Sequence, residues 1–158
     1  NNDKILEEYE LDTATTKKSV DENGNIVYTT TTTASDASNL NNNSRATQNN
    51  SKTFYGWKGK VSINYYDNGS KAKLNSASAS WTHVSGSTAI SKSKSFIYGQ
   101  DMMVNSRNGS KTFTGTSVSA SPNWPKGKYA YNVGNKVGAN VSAKIKGKYV
   151  YVFCDVKF

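Results

Sequence analysis

The sequence predicts an all-β fold, an antiparallel β-sandwich of immunoglobulin-like or jelly-roll-like type carrying an extended N-terminal arm. Three observations predict it. Apolar and polar residues alternate between Trp57 and Tyr98 and again between Val137 and Ile145, the period of a strand with one buried face. Turn sequences separate these runs at short intervals. The composition sets 12 Val, 10 Tyr and 36 Ser plus Thr against 4 Leu, which favours strands over helices.

Residues 1–34 read as an acidic arm. Its first twelve, NNDKILEEYELD, suit a short helix or an extended segment, too short to be stable alone. Thr13–Val20 and Ile26–Ala34 then flank Asp21-Glu22-Asn23-Gly24-Asn25, where Gly24 offers the positive φ of a turn, and a β-hairpin is expected. Only Ile26, Val27 and Tyr28 could anchor it, so it must dock on another element or stay marginal. Residues 35–51 contain one large apolar residue, Leu40, and read as a flexible Asn/Ser-rich linker. A basic sandwich domain is expected over 52–158.

That domain opens with Val61, Ile63 and Tyr65 alternating with Ser62, Asn64 and Tyr66. Asp67-Asn68-Gly69-Ser70 supplies Asn-Gly, the pair best suited to a tight hairpin. The chain returns through Leu74, Ala77, Ala79 and Trp81, turns at Ser85-Gly86 and leaves through Ile90, Phe96 and Tyr98, which predicts three successive antiparallel strands. An irregular stretch over 99–110 precedes a strand expected over 111–121. The chain's two prolines, Pro122 and Pro125, make a loop around Trp124. A short strand is read through Tyr129, Tyr131 and Val133, a longer one over 137–145, and a closing strand after Gly147. The closing strand is apolar on both faces and is expected at the centre of its sheet.

Charge divides along the chain. Residues 1–51 hold eight acids against four bases, whereas residues 52–158 hold sixteen bases against Asp67, Asp101 and Asp155. The inventory for catalysis is poor. His83 is the sole histidine, and no nucleophile-elbow motif accompanies it. Cys154 is the sole cysteine and reads as a small core residue among Val150, Val152 and Val156. Asp67-Asn68-Gly69 lacks the bidentate Glu of a calcium loop, and no metal, cofactor or catalytic residue is expected.

Two features point to binding. Lys58, Lys60, Lys71, Lys73, Lys92 and Lys94 come from three consecutive predicted strands, so that pairs two apart project to one side. Such a face attracts polyanions, and it also protects β-edges from aggregation. Trp57 before the first strand, Tyr66 on a polar strand face and Trp124 between the prolines are candidates for sugar stacking or protein contact. Nucleic acid is disfavoured, because the common recognition signatures are absent. No stretch approaches the ~20 apolar residues that span a bilayer, so membrane insertion is not expected.

KLNSASASW, AISKSKSFIYGQ and VGANVSAKIKGKYVYVF resemble a family of small exported, mostly uncharacterised β-rich proteins of Clostridia and related Gram-positive bacteria, over about Lys71 to Val152. The resemblance implies export and a sandwich and transfers no site. A chain starting at Asn1 without an initiator Met fits a mature form cut after export. The expected function is therefore a secreted or cell-surface, monomeric, non-catalytic binding protein acting at the bacterial or host surface. Its ligand would be a host protein, immunoglobulin included, or a surface glycan. A lysine-rich module for an anionic cell-wall polymer and a bacteriocin-like toxin stay open as alternatives.

Overall fold

The structure, a computed structural model, describes residues 13–34, 55–68, 71–100, 107–128 and 135–157. Among these residues the chain forms strands and no helix. In chain order they are β1 (Thr13–Val20), β2 (Ile26–Ala34), β3 (Trp57–Asp67), β4 (Lys71–His83), β5 (Lys94–Gln100), β6 (Arg107–Phe113), β7 (Ser117–Ala120), β8 (Gly127–Lys128), β9 (Asn135–Ile145) and β10 (Lys148–Lys157). The first sheet has the order β1-β2-β3-β4-β7, with β8 also pairing β4; the second has the order β10-β9-β5-β6. The two antiparallel sheets pack face to face as a β-sandwich.

Alternation built the core. Val61, Ile63 and Tyr65 of β3 and Leu74, Ala77, Ala79 and Trp81 of β4 meet Phe96 of β5, Val137 and Val141 of β9, and Val150 and Val152 of β10. Small Ala residues on the inner faces leave room for the fully buried Trp81 indole. Its cross-strand partner is Gly59. A methyl at Gly59 would stand 2.9 Å from the Trp81 ring and 2.7 Å from Val152, too close for either.

The expected N-terminal hairpin is present. Asp21 Oδ1 accepts the backbone N–H groups of Asn23 (2.8 Å) and Asn25 (2.9 Å), Gly24 takes φ +83°, and these bonds hold the Asp21 carboxyl below its usual value. What the hairpin docks on is β3: β2 pairs with it from Val27–Tyr66 to Ala34–Gly59, so the first sheet runs across the boundary expected from composition. The arm before Thr13 and the linker lie outside the described residues, as does the short strand read through Tyr129–Val133.

Three strand expectations need correction. β3 and β4 form the predicted hairpin, but β5 leaves for the second sheet, so the three strands are not neighbours. The strand expected over 111–121 breaks at Thr114–Thr116. Its first half, β6, pairs β5, and its second half, β7, pairs β4 on the opposite sheet. β10 lies at a sheet edge rather than centrally. Its second apolar face is open to solvent, with Tyr149 and Phe153 about two-fifths exposed. Periodicity names the face of a residue and is silent on which strand lies alongside.

Candidate binding surface

The residues singled out by sequence are scattered. Trp57 closes one end of the sandwich: it is half-buried, its Nε1 donates to the Thr88 carbonyl at 2.8 Å, and its ring meets His83 edge-on at 5.0 Å. Trp124 is half-buried and stacks on Tyr98 at 5.8 Å, sealing the sandwich between β4 and β5. Tyr66 lies on the outer face of the first sheet between Val27 and Lys73, with the Lys126 ammonium 4.0 Å from its ring centre. Lys71 and Lys73 share that face, Lys71 exposed and Lys73 half-buried. Lys92 is exposed on the loop before β5.

Lys94 is not on a basic face. It points to the core side of the second sheet, 5% exposed, where its Nζ donates to the carbonyls of Gly115 (2.9 Å), Thr114 (3.3 Å) and Lys92 (3.3 Å). Burial pushes its ammonium below the ordinary lysine value. The side chain ties the start of β5 to the Thr114–Thr116 crossover. The single lysine face expected from three strands therefore divides between two sheets, because β5 does not follow β4 into the first.

Groups with the capacity for chemistry stay apart. His83 Nε2 lies 2.9 Å from the Gly86 carbonyl in an exposed turn. Cys154 is buried, its Sγ directed at the Thr30 carbonyl 3.4 Å away, and burial pushes its thiol up from the usual value. Along β3, Trp57 (cross-strand from His83) and Ile63 (beside Cys154) are six residues, or about 20 Å, apart. A Cys–His pair cannot form across that distance. Among the described residues, no three His, Cys, Asp or Glu side chains gather as a metal site, and no helix is long and apolar enough to cross a membrane.

Each sheet has a concavity on its outer face. The larger, a trough of about 650 Å³ on the outer face of the first sheet, is lined by Thr31, Ser62, Ser78, Ser80, Ser119 and Lys60 among others. Its hydroxyls bond one another, as in the 2.8 Å contact between Thr31 and Ser62. With no aromatic wall and hydroxyls well hydrated when free, it offers a ligand little water worth displacing.

The smaller is a hollow of about 160 Å³ on the outer face of the second sheet. Gly138 of β9 and Gly99 of β5 stand directly opposite each other and leave its floor bare backbone. One row along, Phe153, Asn140 and Ile97 lie side by side on β10, β9 and β5, so the aromatic and aliphatic walls are about 10 Å apart with the amide between them. Phe153 and Ile97, 42% and 44% exposed, stand in one row of the same face and leave neighbouring apolar side chains open to solvent. The Asp155 carboxylate leans over Gly138, where a methyl would run into it. Tyr151 continues the wall from Phe153, ring centres 5.9 Å apart and planes within 11°, and Tyr149 follows with the Lys144 ammonium 5.1 Å from its ring.

Of these residues the sequence singles out Lys144 alone, which clusters with Lys146 and Lys148 at a turn and could attract polyanions. The available signal was the split of side-chain type in β10, where aromatic Tyr149, Tyr151 and Phe153 share one face while compact Val150, Val152 and Cys154 share the other. No family model matches the chain, and neither a curated protein nor a solved structure is significantly similar to it. The likeness to exported clostridial proteins thus stands on the quoted motifs alone.

Proposed function

We propose that this protein is an exported, non-catalytic binding module whose ligand is a surface glycan, held on the outer face of the second sheet. The observation that carries the reading is the glycine-floored hollow bounded by Phe153, Ile97, Asn140 and Asp155. A pyranose ring has an apolar C–H face and a rim of hydroxyls. It is served by one exposed aromatic ring, one aliphatic contact, an amide able to donate and accept, and a carboxylate that accepts. The hollow is smaller than the ~300–1,000 Å³ clefts that enclose drug-sized ligands, which suits a ring laid on a surface rather than swallowed. The scaffold is rigid at this point, since β9 is paired on both sides over the same residues.

The test is an array of defined glycans probed with the protein and with Phe153→Ala, followed by titration calorimetry on the hits. Phe153 is exposed, so its loss leaves the core intact. Binding that disappears in Phe153→Ala while the thermal transition stays put supports the reading. Hits that survive the substitution, or an array without hits alongside capture of a host protein from serum, defeat it.

A further inference from the structure

Resting on the glycan reading of the hollow, we infer that the ligand is a linear acidic glycan, lying along the strands from the hollow toward Lys144, with a carboxylate, sulfate or phosphate substituent meeting that lysine. The outer face does not stop at the hollow. Four residues along β9 from Asn140, or about 13 Å, a second depression of about 250 Å³ is lined by Lys144, Tyr149, Ser142, Ser95, Ser93 and Ser91. Tyr151 bridges the two depressions on β10, opposite Ser142. The two depressions lie on one strand face joined by the Tyr151–Ser142 row, a length that suits a run of sugar rings.

The strands of the second sheet are basic overall, with Lys136 of β9 and Lys157 of β10 in the rows near Asp155. The Lys144 end is cationic. Lys144 is exposed, Lys148 follows at the β9–β10 turn beside Lys146, whose ammonium lies 4.9 Å from the Tyr55 ring, and exposed Lys92 sits on the loop before β5, next to Ser91. There the Ser91 N–H donates to the Lys144 carbonyl (2.8 Å), and the Lys144 N–H donates to Ser91 Oγ (2.9 Å). Among the described residues of β5, β6, β9 and β10, the one acid is Asp155, six residues along β10 from the Lys144 row, or about 20 Å away. An acidic group placed over Tyr149 gains a charge-assisted hydrogen bond from Lys144 that a neutral glycan forgoes. The hydroxyls of Ser93, Ser95 and Ser142 suit the sulfate or carboxylate oxygens and ring hydroxyls beside it.

Matched pairs on the same array separate this inference from the reading beneath it. The probes are oligogalacturonate and its methyl ester, and sulfated galactan (carrageenan) oligosaccharides with and without their sulfate, each as dimer, tetramer and hexamer. Wild-type protein is expected to favour the charged member by about tenfold or more, with the gap widening from dimer to hexamer and closing in high salt. Lys92→Gln/Lys144→Gln should equalise each pair, Lys144→Arg should restore the preference, and Phe153→Ala should lower both members together. Equal binding of charged and neutral members by wild type, or a preference untouched by the double substitution, overturns the inference while leaving the glycan reading standing. Binding of none of the probes, or of any array glycan, overturns both.

Discussion

Leu74 donates its backbone N–H to Oε1 of Gln100 at 2.7 Å, in a part of β4 that has no neighbouring strand on that side among the described residues. β7 pairs β4 from Ala77 and β8 pairs it up to Ala72, which leaves the residues between without a ladder partner there. Gln100, fully buried, fills that gap and also donates from Nε2 to the Pro125 carbonyl at 2.7 Å. One side-chain amide thus does the work of a missing strand residue and holds the Trp124 loop against the sandwich. Gln100→Leu keeps the volume but orphans a buried N–H and a carbonyl, and should lower stability by about 2 kcal/mol in urea unfolding. An unchanged midpoint would show that water satisfies both groups.

Gly59 makes room for Trp81. Gly59→Ala forces the indole or Val152 to shift within a packed core, and about 2–3 kcal/mol of destabilisation is expected by denaturant titration. Pairing it with Val152→Ala, which removes one of the two obstructing groups, should make the combined loss smaller than the sum of the single losses. Strict additivity would contradict the geometry.

Lys94 should leave a signature in the pH dependence of stability. Its value is depressed in the folded chain, so below the ordinary lysine value of 10.5 there is a window in which the unfolded chain binds more protons than the native one. Stability must then rise with pH through that window. The difference in unfolding free energy between wild type and Lys94→Met is expected to move in favour of wild type as pH climbs toward 10.5. A difference that is flat or falls over the same range would mean that the three carbonyls outweigh desolvation.

Cys154 should be inert in the native protein. Its thiol is buried and raised above its usual value of 9.0, so the attacking thiolate is scarce and shielded. Iodoacetamide at pH 8 should label it in guanidinium and leave the folded chain unmodified over the same interval. Rapid labelling of folded protein would show that the contact between β10 and β2 opens.

Much of the fold was legible, and the reason is local. In β3, β4 and β9 the chain writes its inner face as Val61-Ile63-Tyr65, Leu74, Ala77-Ala79-Trp81 and Val137 to Ile145, and a two-residue period needs no knowledge of distant chain to be read. The turn at Asp21–Asn25 carries its own hydrogen-bond acceptor and glycine. The candidate surface was much less legible. Trp57, ahead of the first predicted strand, and Trp124, between two prolines, read as candidates for exposure, yet both cap the core, because a large ring at the end of a sandwich gains more from covering apolar edges than from standing in water.

By itself, then, the amino-acid order determined that this chain would be strands with an inner and an outer face, where its tight turns fall, and that most of its acids precede residue 52 while most of its bases follow it. Tertiary structure alone decided which strands are neighbours. It sent β5 across to the second sheet, split 111–121 between two sheets at Thr114–Thr116, and put β10 at an edge with Phe153 uncovered beside Asn140 and Ile97. Strand pairing joins residues far apart in the chain through backbone groups that are the same in every residue, so side-chain order specifies the face and packing of the whole specifies the partner.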